Sequence, residues 1–377
     1  MTDNLRINCI LWADDIILLS ETEDGLNTLL AELKIYSDIN QLKVNTEKTK
    51  CMIFNKTGRL IRKTFYLGTN RLENVRSYKY LGLVITPSGE IRSALDDLRG
   101  RALKAYMAMK SKLGICFRDN IADTIMLFES LVKPILLYGS DFWGCLKHPH
   151  NNPVENLHMQ FCRQVLGVQK NTSNCGVLLE LGRTPLMMEA QKLSLKNWNR
   201  IKEGNGNFLV TNSYLNAHAK NLTWNETIHG TLSTSGMQFR ISEGRSDLAN
   251  AYFGKAKDIF HQKSLAQIGK PDSKLRTYAL IKQTIGREDY LTEIKNTKRR
   301  QKLTKLRLSN HQLMIETGRH KKLPKDERIC QLCHYGVEDE IHQRILYVFS
   351  LSRSESEEVT IIVWKFTSSQ NVHFSTT

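Results

Sequence analysis

The hydrophobic residues of this chain recur with two different periods, and the first change of period follows a pair of acidic residues. The short apolar runs 10–12 and 16–19 flank Asp14 and Asp15. Apolar runs of this length around a polar pair predict a β-hairpin with the pair at its turn. A helix is predicted over residues 23–36, because leucines recur there at three- and four-residue steps.

Short strands are predicted between this helix and residue 90. Val44 and the apolar run 52–54 are typical of short strands. A second hairpin is predicted over residues 71–85, in which strand alternation places Tyr78 and Tyr80 on one face. The sequence Pro-Ser-Gly at 87–89 provides the turn that ends this region.

From residue 91 onward the apolar period is helical. One stripe extends from Leu95 to Leu113, and Gly114 is placed to end that helix. Further helices are predicted over 121–132, 154–168 and 185–201. Residues 202–295 carry a weak pattern and are interpreted as a connector. Helical character returns over 298–318, and the Ser-rich residues from 349 onward are interpreted as a polar tail.

Positive charge is concentrated toward the end of the chain and indicates a class of partner. The formal net charge is +16, and residues 295–328 hold 12 Lys and Arg against 3 acidic residues. A polyanion is the expected partner, and nucleic acid fits better than a membrane surface. A solvated basic helix with no ligand is the alternative interpretation. The candidate phosphate-binding residues are Lys298, Arg299, Arg300, Lys302, Lys305 and Arg307.

The cysteine content indicates a reducing compartment, and the hydropathy gives no convincing membrane span. Eight cysteines in 377 residues are too sparse for a disulfide scaffold, and no signal peptide is recognised before the first hairpin. The best candidate for a membrane span, residues 131–146, is interrupted by Lys133, Pro134 and Asp141. An intracellular protein without a membrane partner is therefore expected.

Cys330, Cys333 and His342 form the pattern Cys-x₂-Cys-x₈-His. Thiolate and imidazole groups at such spacing are typical ligands of structural zinc. Two reduced, partly buried thiols without a metal are the alternative.

The order of these motifs resembles the palm of a non-LTR (LINE-type) retrotransposon reverse transcriptase. The resemblance is carried by Trp-Ala-Asp-Asp at 12–15, the helix that follows, residues 42–54, and Tyr-Lys-Tyr-Leu-Gly at 78–82. It continues through residues 138–139, 160–168, 180–185 and 307–311, and covers most of 8–348.

The resemblance implies an α+β fold. It implies a partial polymerase palm of β-hairpins and packed helices over 1–90, followed by a helical thumb over 91–201. The connector then occupies 202–295, and a basic helix with a zinc-knuckle-like segment occupies 296–348. Residues 349–377 are the tail.

The resemblance also implies roles for individual residues. Asp14 would bridge two catalytic Mg²⁺ ions, and Asp15 would shape the electrostatics of the site. Lys48 matches the palm position proposed to donate a proton toward departing pyrophosphate, and an ordinary surface lysine is the alternative. Tyr78, Tyr80 and Gly82 match the hairpin that grips the primer end, and packing of the tyrosines in the core is the alternative. The implied reaction adds dNTPs to a DNA 3′ end on an RNA template, with DNA primer or target as partner, in the nucleus and cytoplasm.

Three departures from the family limit what is expected of the chain. The family's upstream metal-binding aspartate and fingers domain have no counterpart in the 13 residues before Asp14. Trp12 stands where Tyr or Phe is usual, and Tyr347 stands where the family has a fourth zinc ligand, a Cys. We therefore expect a reverse transcriptase fragment that does not polymerise alone and binds zinc weakly or not at all. A non-catalytic nucleic-acid-binding protein derived from a retroelement and a decayed fragment without selected function are the alternatives.

Overall fold

The computed structural model describes residues 7–114, 116–147, 151–219, 223–238, 247–270, 273–282 and 285–342, and two short strands beyond them. Helices dominate this part of the chain, and the sheets are small and lie mainly before residue 90. None of the described helices combines the length and the apolar character needed to cross a bilayer.

The first hairpin is present as predicted. Strands β1 (Cys9–Trp12) and β2 (Asp15–Leu18) pair antiparallel, with Trp12 opposite Asp15. The two-residue turn is Ala13 and Asp14, and Ala13 adopts a left-handed φ of 52°. A two-residue turn with positive φ matches the right-handed twist of the flanking strands. The acidic pair therefore lies at the tip of the hairpin.

The next elements form a small sheet covered by one helix. Helix α1 (Glu23–Ile39) begins at Thr22, whose side chain accepts a hydrogen bond from the Gly25 backbone N–H. Strands β3 (Lys50–Cys51), β4 (Phe65–Leu67) and β5 (Asn70–Asn74) follow in the sheet order β3-β5-β4. The helix packs on one face of this sheet, around buried Leu30, Phe65, Leu67 and Leu72. Residues 52–54, predicted as a strand, lie outside β3.

The predicted hairpin over residues 71–85 is wrong in its extent. Its first residues belong to β5, which pairs antiparallel with β4 and parallel with β3. The hairpin itself consists of β6 (Tyr78–Tyr80) and β7 (Leu83–Ile85), joined by Leu81 and Gly82 at positive φ. The reason is burial, since Leu72 pairs with Phe65 on the core face and fixes β5 to a different partner.

The predicted helical region after residue 91 is confirmed. Its long stripe is buried along the first helix, which begins at Arg92, and Gly114 ends that helix with a φ of 52°. Asn152 caps the seventh helix through its side-chain oxygen, and Gly167 ends it in the left-handed conformation. The helices are α2 (Arg92–Leu113), α3 (Cys116–Asp119), α4 (Ile121–Leu131), α5 (Lys133–Leu136), α6 (Ser140–Trp143), α7 (Pro153–Leu166), α8 (Asn174–Glu180) and α9 (Leu186–Lys202).

The segment interpreted as a connector, 202–295, is largely helical. Two of its helices pack against α9 in a second core that includes Leu195, Trp198, Ile228, Leu232 and Tyr252. This part of the chain is therefore joined to the helical body by a core of its own. Its helices are α10 (Phe208–Ala219), α11 (Thr223–Thr234), α12 (Leu248–Ile268), α13 (Arg276–Ile281) and α14 (Tyr290–Glu293).

The basic region contains two helices where the pattern predicted one. Helix α15 (Thr297–Arg307) ends before Ser309, which has a positive φ of 49°, and α16 (Met314–His320) begins five residues later. The segment predicted as a tail contains two short antiparallel strands, β8 (Val363–Trp364) and β9 (Phe374–Ser375).

Candidate nucleic-acid and metal sites

Asp14 and Asp15 lie at an exposed hairpin tip. All four residues of β1 and the first two of β2 are exposed, and the Trp12 side chain is 64% exposed. Carboxylate oxygens are suitable ligands for Mg²⁺. No third His, Cys, Asp or Glu joins this pair as a potential metal ligand in the part of the chain that the structure describes. These two residues alone therefore do not fit a two-metal site.

Lys48 and Tyr78 are brought together by the loop before β3. The Lys48 backbone N–H donates to Asn45 Oδ1 at 3.1 Å, and the Thr49 hydroxyl donates to the Asn45 carbonyl at 2.8 Å. The Tyr78 hydroxyl donates to the Lys48 carbonyl oxygen at 3.4 Å. Both side chains are exposed. The structure thus joins two of the predicted site residues, and no hydrogen bond or ion pair links either of them to Asp14.

Gly82 attaches the β6-β7 hairpin to the helical region. Arg101 on α2 donates to the Gly82 carbonyl at 2.7 Å, and the Tyr138 hydroxyl donates to the Leu81 carbonyl at 2.8 Å. A β-carbon at Gly82 would lie 3.0 Å from the Tyr138 ring. Tyr80 is half-buried beside this turn. Sequence reasoning missed Arg101, because its partner is a backbone carbonyl 19 residues away, to which no sequence pattern points.

Arg300 and Arg307, predicted to contact phosphates, are buried, and that prediction is wrong for both. Arg307 Nε donates to Glu180 Oε1 at 2.7 Å, and the same guanidinium pairs with Glu288. Arg300 donates to the backbone carbonyls of Ile294 and Arg118. Burial would lower the pKa of Arg307, but the two carboxylates outweigh it and raise that pKa. Both arginines therefore hold α15 to the helical body.

The remaining basic residues of α15 lie on the opposite side of the helix. Lys298, Lys302 and Lys305 follow one another at four- and three-residue steps, which places them on one face. Lys298 and Lys302 are exposed, as is Arg299 beside them, and Lys305 is half-buried. None of the four has an acidic partner within hydrogen-bonding distance among the described residues. We call Lys298, Lys302 and Lys305 the basic stripe.

Cys330, Cys333 and His342 come together as the sequence pattern predicts. Their ligand atoms lie within 4.8 Å of one another, and Cys333 Sγ is 3.1 Å from His342 Nε2. The loop 330–336 contains both cysteines. It is closed by a hydrogen bond from the Cys330 backbone N–H to the Gly336 carbonyl at 3.0 Å. Two thiols and an imidazole at this separation fit three of the four positions around zinc. His334 is exposed outside this group, and Tyr347 lies outside the described residues.

A buried carboxylate attaches this metal-ligand group to the rest of the molecule. Glu340 accepts hydrogen bonds from Arg276 at 2.9 Å, Thr277 at 2.9 Å and Ser309 at 3.1 Å, and lies 2.9 Å from His311 Nε2. Burial raises the pKa of Glu340, but His311 and Arg276 outweigh it and lower that pKa to about 2. Sequence reasoning missed Glu340, because its partners lie 29 to 64 residues earlier.

Comparison with known proteins gives two partial similarities. The chain is 29% identical over 165 residues to a putative uncharacterized transposon-derived protein of Caenorhabditis elegans, a match that covers 42% of this chain and 56% of that protein. It is 30% identical over 99 residues to a retrovirus-related Pol polyprotein from a type-2 retrotransposable element of Drosophila melanogaster, covering 24% of this chain and 9% of the polyprotein. The chain thus spans about half the length of one relative and under a tenth of the other. No family model and no solved structure matches the chain. The similarities support a retrotransposon origin.

Proposed function

We propose that the chain is a nucleic-acid-binding part of the RNA-directed DNA polymerase of a non-LTR retrotransposon. The order of the palm-like motifs supports this proposal, as does the similarity to a retrotransposable-element Pol polyprotein. RNA template and DNA primer or target are the proposed partners. The basic stripe of α15 is the observation that carries the proposal.

The basic stripe is suited to a phosphate backbone. Its three lysines and the neighbouring Arg299 place four cations within eight residues, without acidic partners among the described residues. The buried arginines of the same helix fix its orientation through Glu180 and the carbonyls of the body. The helix backbone is already ordered before binding, and each phosphate that a lysine neutralises releases condensed counterions.

We propose that polymerisation requires more than this chain. In an intact enzyme, Asp14 would supply one carboxylate to the catalytic metals and Lys48 would act on the departing pyrophosphate. Two-metal transfer of a nucleotide needs opposing ligands that fix the spacing of the ions. The adjacent pair Asp14 and Asp15 offers no such opposition in the part of the chain that the structure describes. The isolated chain is therefore proposed to bind nucleic acid without extending it.

Zinc would be held by Cys330, Cys333 and His342. A bound ion would supply a crosslink across the loop that these residues close. With three ligands the site is proposed to be weak.

Salt dependence of binding tests the proposal. A fluorescent RNA and a DNA duplex of equal length are titrated with the full chain between low and moderate salt. The triple variant Lys298→Gln, Lys302→Gln and Lys305→Gln is expected to lower the log–log salt slope by about two to three, since each phosphate contact contributes about 0.7 to 0.9.

The matched control removes the same charge elsewhere. Lys255, Lys257 and Lys263 are exposed on α12, and their change to Gln is expected to leave the slope nearly unchanged. If the two triple variants behave alike, or if the natural chain does not bind at all, α15 is not a nucleic-acid-binding element.

A further inference from the structure

One face of the sheet β3-β5-β4 is left uncovered by α1. On the covered face Phe65, Leu67 and Leu72 are at most 2% exposed. On the other face the Tyr66 side chain is 51% exposed and lies directly opposite Arg71 in the antiparallel register. Side chains in such a pair have β-carbons about 4.5 to 5.5 Å apart, so the ring and the guanidinium are neighbours.

Tyr66 and Arg71 are available for a ligand. Neither side chain has a hydrogen-bond or ion-pair partner in the described part of the chain. Beside them on the sheet, Lys50 pairs with Glu73 at 2.7 Å, so the acidic group of this face is already neutralised. The uncovered face therefore presents an aromatic ring next to an unpaired cation.

The surroundings of this face are strongly positive. Residues 43–79 contain ten Lys and Arg and two Glu, a net charge of +8 in 37 residues. Three of the ten are in ion pairs with Glu73, Glu23 and Asp97. The other seven have no acidic partner within hydrogen-bonding distance among the described residues. They are Lys43, Lys48, Lys56, Arg59, Arg62, Arg71 and Arg76.

Two of the seven lie at one end of the same sheet. Arg62 precedes β4 by three residues and Arg76 follows β5 by two, and antiparallel strands bring these positions to the same end. Both are exposed. Cations therefore lie at the end of the uncovered face as well as beside its ring.

We propose that the uncovered face of β3-β5-β4 binds single-stranded nucleic acid. Tyr66 stacks on an unpaired base, and Arg71, Arg62 and Arg76 contact the phosphates. The positive charge selects a polyanion, and the exposed ring selects unpaired bases, because bases within a duplex already stack on one another. This inference rests on the proposed function, to which it adds a second contact region and the state of the strand bound there.

Comparing the affinities for a single-stranded and a double-stranded ligand distinguishes this proposal from binding of any nucleic acid through charge alone. The full chain is titrated with a fluorescent 20-nucleotide oligouridine RNA and with a blunt DNA duplex of 20 base pairs. Tyr66→Ala is expected to weaken binding of the single strand about tenfold, in line with the loss of one stacked base, and to leave the duplex nearly unchanged. Tyr66→Phe keeps the ring and is expected to bind as the natural chain does.

Two further variants complete the design. Tyr36→Ala removes a tyrosine that is 58% exposed on α1, on the other side of the sheet, and is expected to have no effect. Arg71→Gln is expected to lower the single-strand salt slope by about 0.7. Oligouridine carrying 4-thiouridine is expected to crosslink to the peptide that contains Tyr66. Circular dichroism identifies any variant that fails to fold.

The outcomes distinguish the two proposals. If the chain binds oligouridine but Tyr66→Ala binds equally well and no crosslink forms in β4 or β5, the uncovered face is not a binding site and the proposed function stands. If the basic-stripe variant loses both ligands while Tyr66→Ala loses only the single strand, both are supported. If the natural chain binds neither ligand, both are overturned.

Discussion

Burial divides the basic residues of α15 into two groups. Arg307 is 4% exposed and pairs with Glu180 and Glu288, whereas Lys302 is exposed. Arg307→Gln should lower the free energy of unfolding by about 3 to 5 kcal/mol, because it leaves buried carboxylates without their cation. Lys302→Gln should leave stability unchanged. Urea unfolding of the two variants measures this, and equal stabilities would show that the pair with Glu180 is not formed.

Glu340 makes the stability of the chain depend on acid pH. Its pKa is lowered to about 2 in the folded chain from an ordinary value of 4.5. The folded state therefore binds fewer protons than the unfolded state between these values, and the contribution of Glu340 is lost as the pH falls through them. The contribution at neutral pH is about 3 kcal/mol from the size of the shift.

Comparison with Glu340→Gln isolates this group from the other carboxylates. Without metal and with chelator present, the natural chain should exceed the variant in unfolding free energy at pH 6, and the difference should shrink between pH 4.5 and pH 2. A difference that does not change over this range would mean that Arg276 and His311 do not stabilise the ionised form.

At the residue level, sequence reasoning located ligands that are close in sequence and missed partners that are distant. Asp14 and Asp15 lie at a turn because the apolar runs beside them are short, and that turn is local. The burial of Arg307 depends on Glu180, which is 127 residues earlier. Its helix also buries polar residues, Arg300 and Thr304 among them, so no apolar stripe marks the buried face.

At the level of elements, the strength of the apolar pattern decided what could be predicted. The stripe of α2 is apolar and buried, and its helix was predicted to within a few residues. In α12 the buried residues include Ala249, His261 and Ser264, which carry little apolar signal, so the segment was interpreted as a connector. Strand β4 has only three residues, and without it β5 was assigned to the wrong hairpin.

The zinc-knuckle-like segment is expected to bind zinc tightly only when a fourth ligand is supplied. Cys330, Cys333 and His342 are already within 4.8 Å of one another, so one more thiolate should complete a tetrahedral site. A tyrosine, with an ordinary pKa of about 10, is a poor zinc ligand at neutral pH. Tyr347→Cys should therefore create tight binding, and zinc should protect residues 325–348 from protease only in that variant.

The control for zinc binding is Cys330→Ser in the Tyr347→Cys background, which should abolish the protection. Equilibrium dialysis gives the affinity directly. One tightly held zinc in the natural chain, lost on Cys330→Ser alone, would mean that another residue completes the site and that it has not decayed.

At the level of the whole molecule, positive charge is concentrated in two folded regions. Residues 43–79 carry +8 and residues 295–328 carry +9, so the rest of the chain is close to neutral within the total of +16. Composition shows this concentration, but only the structure separates the buried arginines from the exposed lysines. The β6-β7 hairpin, which begins at the end of the first basic region, is held to the helices through Arg101 and Tyr138, and α15 is held through Arg300 and Arg307. Each basic region therefore has at least one end attached to the helical body.

Nucleotide addition would need metal ligands from more than one part of the molecule. Asp14 and Asp15 project from an exposed hairpin and have no third metal ligand beside them among the described residues. Two metal ions need ligands from more than one element, because a single turn cannot fix their separation. The purified chain should therefore incorporate no labelled dNTP on an RNA template with Mg²⁺ or Mn²⁺.

The same carboxylate should become essential once the missing ligand is supplied. In a longer polypeptide that joins the upstream half of a reverse transcriptase to this chain, Asp14→Ala should reduce extension by several orders of magnitude, since it would remove the ligand that we propose both ions share. Asp15→Asn should reduce it less, because Asp15 is proposed to shape the electrostatics of the site and not to bridge the ions. Extension by the isolated chain that disappears on Asp14→Ala would contradict this account, because the hairpin would then assemble a metal site without an upstream partner.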